Sequence, residues 1–215
     1  MRLDLSAEQL LTTTRAVRKR LDLDRPVERD VIEACVEIAL QAPTGSNRQG
    51  WQFVFVDDAG KKKALADLYA RHFDIYASMP PPNYDDGDPR GLHYMAVKDS
   101  AIYLRDHFHE VPVLMVPVIE GRLPEDNSPV WMQAGMWGSL LPAVWSFMLA
   151  ARLHGLGTAW TTLHLPSEKD AADLLGIPFD RYMQGGLMPV AYTKGTDFKP
   201  ASRLPAAQLT HWNEW

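Results

Sequence analysis

Three features of the 215-residue chain predict an α+β fold. Apolar residues recur at helical spacing through residues 31–39, and the apolar run at 53–56 is typical of a buried strand. Residues 129–151 carry no charge over 23 positions, which predicts a longer helix. We find no internal repeat and no linker, so residues 1–215 are expected to form one domain.

The remaining elements follow from local patterns. Helices are predicted at 7–18, 27–41, 61–76 and 167–175, and strands at 52–56, 111–119, 158–163 and 187–192. Ser167 should cap the last of these helices, and Pro43 should stop the second. Pro112 and Pro117 favour an edge position or a strand start for the second strand. Residues 78–92 hold three consecutive prolines and three aspartates, so we expect an irregular excursion, either a solvated loop or a lid or dimer arm.

Composition excludes several classes of function. The net charge of −5 gives no basic footprint for nucleic acid. The single cysteine, Cys35, lies on the apolar face of a predicted helix, which favours a small buried hydrophobe over a nucleophile. The first residues contain no long apolar segment, so we expect a cytoplasmic protein.

The uncharged segment at 129–151 meets the length criterion for a membrane span. Polar side chains, two glycines and a proline dilute its hydrophobicity, and no second span accompanies it. We therefore predict no membrane association and a helix enclosed by protein on all faces. Trp131, Trp137 and Trp145 lie six and eight residues apart, so we expect core and interface packing rather than one stripe.

A cluster of cations opens the chain. Residues 15–20 contain Arg15, Arg18, Lys19 and Arg20. These charges repel one another unless an anion is present, and a phosphate would suffice. A solvated basic helix end is the alternative.

A second polar segment lies between a predicted helix and a predicted strand. Residues 41–53 read QAPTGSNRQGWQF, and Thr44, Ser46, Asn47 and Gln49 can each hydrogen-bond a ligand. Gly45 would let backbone approach closely. This geometry suits a flat cofactor with polar edges, and an ordinary polar connection is the alternative.

Other constellations are weaker. His107, His109 and Glu110 lie close together, but no further ligand that would complete a first shell follows at a recognisable spacing, so we predict no metal site. Gly155 and Gly157 lack the remainder of a dinucleotide fingerprint, and Gly155 should instead end the long helix in a left-handed conformation. His154 and His164 could donate protons, although we expect both to be solvated. No catalytic side chain is assigned.

Five segments, in this order and spacing, resemble the flavin-dependent nitroreductase family. They read RAVR at 15–18, APTGSNRQGW at 42–51, GLGTAW at 155–160, PVAY at 189–192 and SRLP at 202–205. The resemblance covers roughly residues 8–215. It implies a central, mainly antiparallel sheet flanked by helices, with the long helix buried at the interface of a homodimer.

The resemblance also implies an FMN site. Arg15 and Arg203 would hold the phosphate, and Arg18 would lie near the pyrimidine end of the flavin, where a cation stabilises the reduced ring. The remaining residues that match cofactor-binding segments are Ala16, Val17, Pro43, Thr44, Ser46, Asn47, Trp160, Thr161, Thr162 and Leu163. Pro43 to Asn47 would close over the cofactor from the neighbouring subunit, and backbone N–H groups of residues 161–163 would face flavin N5.

The implied activity is that of an NAD(P)H-dependent FMN oxidoreductase. Hydride from NADPH or NADH would pass through flavin N5 to a small electron-poor acceptor such as a nitroaromatic or a quinone. One alternative is a relative that uses flavin for reductive dehalogenation, flavin fragmentation or deazaflavin-related chemistry. Another is a flavin-binding protein without turnover, in which a tryptophan blocks the face where nicotinamide would stack.

Overall fold

The computed structural model describes residues 2–85, 87–124 and 128–215. Within these ranges the chain forms seven α-helices and five strands, which confirms the α+β prediction. The helices are α1 (Ala7–Thr13), α2 (Arg29–Ala39), α3 (Ala59–Ser78), α4 (Pro89–Leu92), α5 (Tyr94–His107), α6 (Val130–Leu153) and α7 (Glu168–Leu175). The strands are β1 (Trp51–Val56), β2 (Val113–Glu120), β3 (Leu156–Thr158), β4 (Tyr182–Gln184) and β5 (Met188–Tyr192).

The strands form an antiparallel sheet in the order β1-β2-β5-β3, and β4 continues beside β2 beyond the end of β5. β2 lies in the middle and is buried along all but its last residue. Its side chains alternate between two cores. Leu114, Val116 and Val118 face a cluster that includes α3, while Val113, Met115 and Ile119 face a cluster that includes α2 and α6.

The expectation of an edge position for the second predicted strand is wrong. Pro112 precedes β2, but Pro117 lies inside it, opposite Phe53 of β1. The Pro117 carbonyl accepts from the Gly185 N–H at 2.8 Å, so the backbone of Pro117 faces the junction between β4 and β5 rather than β1. Proline has no backbone N–H to donate, but Pro117 faces a place where the hydrogen-bond ladder beside β2 is already interrupted. A central strand therefore tolerates the proline.

Helix α6 is enclosed by protein on only part of its surface. Phe147, Val144 and Leu140 on its inner face are fully buried. An apolar stripe is exposed at alternating spacings of three and four residues, as Trp131, Ala134, Gly138, Leu141 and Trp145. Trp131 and Trp145 thus share one face, because fourteen residues make almost four turns, and only Trp137 packs against the core.

By length and composition alone, α6 could cross a membrane. A single such helix is weak evidence of a membrane span, since the core helix of a globular protein passes the same test.

At the end of α6, Gly155 has a φ of 77°, which confirms the predicted left-handed termination. Cys35 is fully buried, as predicted, and burial raises its pKa to about 12.

Several predicted boundaries differ from the structure. α1 ends at Thr13 rather than residue 18, because Thr14 is extended. The hydroxyls of Thr12, Thr13 and Thr14 donate to carbonyls four residues back, which favours termination. β3 spans only Leu156–Thr158. Ser167 makes no capping bond, and its hydroxyl instead lies 2.9 Å from His72 Nε2.

Three elements were not predicted, namely α4, α5 and β4. Among the described residues of 78–92, the chain is irregular up to the single turn of α4, so the predicted excursion is confirmed except for that turn. Asp86, part of its acidic run, lies outside the described residues.

Candidate functional site

The basic segment is held against the outer strand of the sheet. Ala16 pairs with Thr158 in a parallel bridge, and the Val17 N–H donates to the Thr158 carbonyl at 2.8 Å. The approach is close because residue 157 is a glycine. A Cβ at Gly157 would lie 2.9 Å from Val17 Cβ and 2.7 Å from Thr193 Cγ2. Arg15 and Arg18 therefore lie next to the strand that leads into Trp160.

The four cations of this segment have different partners. Lys19 pairs with Asp99 and Arg20 pairs with Asp197. Arg15 instead donates from Nη1 to the Lys199 carbonyl at 3.2 Å.

Arg18 is half-buried, and its Nη1 lies 3.4 Å from Ser100 Oγ. Burial lowers the pKa of its guanidinium. In the part of the chain that the structure describes, neither Arg15 nor Arg18 has a carboxylate within salt-bridge distance. These two cations are the ones available to an anionic ligand.

The C-terminal segment reaches the same region. The bond from Arg15 to Lys199 places residue 199 beside the basic segment, four residues before Arg203. Arg203 is exposed, and its Nη1 donates to the Ser202 carbonyl at 2.9 Å. The C-terminal segment thus passes the basic segment at Lys199, and Arg203 follows four residues later.

Residues 160–163 continue from β3. Trp160 is half-buried, and its Nε1 donates to the Gly185 carbonyl at 3.0 Å. The Leu187 N–H donates to the Thr161 carbonyl at 2.9 Å, and the Thr161 hydroxyl donates to the Leu187 carbonyl. Within the described ranges, the backbone N–H groups of Thr162 and Leu163 have no protein acceptor. They are open to a ligand or to water.

The polar loop at 43–47 lies against the first half of α6. The Gly45 N–H donates to Ser139 Oγ at 3.1 Å, and the Gln49 N–H donates to Thr44 Oγ1 at 3.1 Å. Ser46, Asn47 and Gln49 have φ values of 53°, 52° and 51°. Such conformations cost about 1–3 kcal/mol each and are concentrated at ligand sites. Pro43, Ser46 and Asn47 are exposed, and Thr44 is half-buried.

One chain does not bring this loop to the cations. The loop leads into β1, whereas Ala16 pairs on the far side of β3, so the two lie about 19 Å apart across four strand spacings. They also differ along the strands, since Trp51 opposes Ile119 while Thr158 lies level with Val113, about 20 Å away. A site that uses both groups needs a second copy of the chain.

A buried polar network lies behind residues 160–163. His164 is 0% exposed, so the expectation of a solvated histidine is wrong. Its Nε2 lies 3.0 Å from Gln184 Oε1, and the Gln184 amide donates to the Glu168 carbonyl at 2.9 Å. The Glu168 carboxylate accepts a bidentate pair from Arg122 at 2.9 and 3.0 Å. Burial lowers the pKa of His164 to about 4.

This network fixes the end of the 160–163 segment. The Gln184 N–H also donates to Glu168 Oε1 at 2.7 Å, which ties β4 to the start of α7. His164 Nδ1 is buried and has no hydrogen-bond partner among the described residues. No sequence pattern indicated these contacts, because they join residues that lie 16 to 46 positions apart and meet only through the fold.

The histidine pair at 107 and 109 lies at the surface. His107 Nδ1 is 2.9 Å from Glu110 Oε1, and His109 Nε2 is 3.8 Å from the same oxygen. Among residues 2–85, 87–124 and 128–215, no three His, Cys, Asp or Glu side chains group as a metal site would require.

The described part of the chain forms a larger and a smaller cleft near the polar loop. The larger, of about 800 Å³, lies between α2 and β1, and its walls include Ile32, Trp51 and Phe53 but none of the predicted cofactor residues. The smaller, of about 480 Å³, includes Thr44 and Ser46. Neither contains residues 15–18 or 160–163.

Residues 11–192 match the model of the Nitroreductase family. The match extends over most of the chain, so this protein belongs to the Nitroreductase family.

A curated relative, 5,6-dimethylbenzimidazole synthase from Rhodospirillum rubrum, is 24% identical over 147 residues. That region is 68% of this chain, and it spans 65% of the relative's length, slightly under two thirds.

Solved structures share the fold. An FMN- and NADPH-dependent nitroreductase from Sphigopyxis sp. strain HMH has a TM-score of 0.69 and 21% identity, over 98% of this chain and all of that one. Iodotyrosine deiodinase bound to FMN and 3-iodo-L-tyrosine has a TM-score of 0.69 and 20% identity, over 92% of this chain and 94% of its own. At these identities the likeness concerns the fold, and it confirms the predicted antiparallel sheet flanked by helices.

The buried state of His164 gives a testable pH dependence. The folded-state pKa of about 4 lies below the ordinary value of 6.5, so the unfolded chain binds more protons between these values. His164 therefore contributes stability above pH 6.5 that is lost as the pH falls toward 4. Between pH 7 and pH 4.5 we expect it to account for about 2 kcal/mol of lost unfolding free energy.

Urea unfolding of the wild type and of His164→Gln at both pH values measures this contribution. Glutamine does not titrate, so the variant should lose about 2 kcal/mol less than the wild type over the same interval. Equal losses would show that His164 does not titrate as a buried imidazole.

Proposed function

We propose that this protein is an FMN-dependent oxidoreductase that uses NADPH or NADH to reduce a small electron-poor acceptor, such as a nitroaromatic or a quinone. The observation that carries the proposal is the pairing pattern of residues 15–20. Lys19 and Arg20 have carboxylate partners, whereas Arg15 and Arg18, the two cations of this segment that are assigned to FMN, have none in the described part of the chain. Family membership and the FMN named in related structures support it.

The residues present fit the cofactor. A phosphate requires cations that no carboxylate neutralises, and in the described part of the chain Arg15 and Arg203 donate only to backbone carbonyls. Arg18 is a half-buried cation whose desolvation an anionic ring edge would offset. The backbone N–H groups of Thr162 and Leu163 are donors without protein acceptors in the described ranges, as contact with a flavin nitrogen requires.

When bound, FMN supplies the redox chemistry by taking hydride at N5 and delivering electrons to the acceptor. The chain's own groups orient and stabilise it. Arg18 would stabilise negative charge at the pyrimidine end, while Ala16 and Val17 fix the basic segment on β3. Trp160 and Thr161 would line the ring, held by their bonds to Gly185 and Leu187. No side-chain acid, base or metal is assigned to this chemistry.

The active unit in this proposal is a homodimer, with residues 1–215 of each copy as one FMN-binding domain. The separation between residues 15–18 and loop 43–47 supports it, because Pro43, Thr44, Ser46 and Asn47 could then close over the cofactor of the other copy. The exposed stripe of α6 could form the dimer interface, since apolar residues at three- and four-residue spacing suit packing against an equivalent helix. A cytoplasmic location, without nucleic-acid or membrane partners, completes the proposal.

Reconstitution with FMN tests the function. We expect a yellow protein whose flavin absorbance bleaches without air on addition of NADPH or NADH and returns on addition of a nitroaromatic or a quinone. Failure to retain FMN, or colour that persists under excess reductant, would contradict the proposed reductase. Including 3-iodo-L-tyrosine among the acceptors tests the dehalogenation suggested by one structural relative.

Replacing Arg203 tests the assignment of the phosphate. We expect Arg203→Ala to weaken FMN binding by about 1.5–3 kcal/mol, the range for a hydrogen bond to a charged group. Arg203→Lys keeps the charge but not the bidentate geometry, so its loss should be smaller. Fluorescence titration of apoprotein with FMN measures the dissociation constants. Unchanged binding in Arg203→Ala would remove this residue from the site.

Placing a charge on the exposed stripe tests the dimer. Leu141 is 39% exposed on the single chain, and a dimer along α6 would bury it. Leu141→Glu should therefore raise the dimer dissociation constant by about a hundredfold or more and lower FMN retention with it. The matched control is Ile75→Glu on α3, another exposed apolar position. If sedimentation velocity shows that Leu141→Glu is as dimeric as the control, the result would contradict a dimer interface along α6.

A further inference from the structure

The cleft of about 480 Å³ is enclosed by three parts of the chain. Its walls are residues 44–50, the end of β2 from Ile119 to Gly121, and the first turns of α6. Its volume lies within the range of sites for small organic molecules. The loop that forms one wall is the loop that the proposed function places over the flavin of the second copy.

One side of the cleft is apolar and contains flat and adaptable surfaces. Trp131 is 74% exposed on the single chain, and Met132 and Met136 lie beside it. Ile119 and Leu123 extend the same wall. An indole face and two thioethers suit an aromatic ring, because both surfaces are polarisable.

The other side carries a positive charge. Arg48 borders the cleft, and within residues 2–85, 87–124 and 128–215 its guanidinium has no carboxylate within salt-bridge distance. Glu120 also lines the cleft, but its carboxylate is paired with Arg181 at 2.8 Å. The first turn of α6 adds the positive end of a 24-residue helix. The described charges therefore favour an anion.

Arg48 is mounted on a constrained backbone. Its N–H donates to the Gly45 carbonyl at 3.2 Å, and the flanking Asn47 and Gln49 are joined by a side-chain bond of 3.0 Å. The Gly45 N–H is fixed to α6 through Ser139. The backbone of Arg48 is thus held at the rim of the cleft, and its side chain starts from a fixed point there.

We propose that this cleft binds the electron acceptor, that the acceptor is an aromatic molecule bearing a carboxylate, and that Arg48 selects it. The assignment rests on the proposed function, which supplies the reduced flavin. A planar guanidinium fits a carboxylate through two parallel hydrogen bonds, and the Trp131 and Met132 wall covers the ring. Arg48 determines specificity and takes no part in electron transfer.

A matched pair of probes isolates the charge. 4-Nitrobenzoate and 4-nitrobenzamide share the ring and the nitro group and differ in the carboxylate. Calorimetric titration of the oxidised, FMN-loaded protein with each probe gives two dissociation constants. In Arg48→Ala we expect the constant for 4-nitrobenzoate to rise at least about tenfold and that for 4-nitrobenzamide to change less than about twofold. The dissociation constant of Arg48→Lys for 4-nitrobenzoate should lie between those of Arg48→Ala and the wild type.

Arg71→Ala is the matched control, since it removes one positive charge from an exposed site on α3 outside the cleft. If Arg71→Ala also weakens the binding of 4-nitrobenzoate, the loss of affinity that the two variants share reflects net charge rather than a contact. The ratio of the two probes' kcat/KM values should follow the ratio of their affinities in every variant.

The outcomes separate the two levels of the proposal. If the wild-type protein retains no FMN, or its reduced form is reoxidised by neither probe nor a quinone, the proposed function fails and the acceptor assignment fails with it. If the wild type is active but Arg48→Ala changes both probes equally, or matches Arg71→Ala, only the assignment of Arg48 is overturned. A selective loss for 4-nitrobenzoate in both affinity and kcat/KM supports it.

Discussion

The hydrogen bond from the Val17 N–H to the Thr158 carbonyl is the contact on which the rest of the site depends. It holds the extended segment that follows α1 and places Arg15 and Arg18 beside the outer strand. The bond is possible because residue 157 has no side chain, as a Cβ there would lie 2.9 Å from Val17. The position of the cations is thus set by backbone packing rather than by their own ion pairs.

A second constraint is the width of the sheet. With β1 and β3 at opposite edges, the polar loop and the basic segment cannot meet in one chain. The fold instead leaves two features unused on the single chain. These are the apolar stripe from Trp131 to Trp145 and a loop in strained backbone conformations next to it. In the proposed homodimer, the second copy would cover the stripe from Ala134 to Trp145, leave Trp131 beside the cleft, and give the loop a ligand to contact.

The sequence was sufficient where local patterns carry the signal. The amphipathic face of α2 and the apolar runs of β1 and β5 appear nearly where they were predicted, and the strained loop coincides with the polar segment at 43–47. Prediction failed where tertiary contacts decide the structure. Only Leu104 of α5 is buried, so that helix has no apolar stripe to recognise. β4 has three residues, and its pairing with β2 depends on the whole sheet.

The candidate site shows the same division. Arg15, Arg18 and residues 160–163 were identifiable from motifs, and their contacts with β3 and Leu187 are compatible with that assignment. The burial of His164 was not identifiable from the sequence, since its partner Gln184 lies 20 residues away on another element. The tryptophan stripe was missed because neighbouring spacings of six and eight residues were compared, whereas the fourteen residues between Trp131 and Trp145 set their common face.

Complementation between two defective chains tests the two-copy site most directly. One chain carries Arg15→Ala and Arg203→Ala. The other carries Ser46→Pro, which cannot adopt the positive φ of that loop position. If each site combines cations from one copy with the loop of the other, each mixed dimer holds one native site, and roughly a quarter of all chains in a co-refolded mixture should bind FMN with wild-type affinity. A mixture with no such sites, although both variants fold and dimerise, would contradict the account.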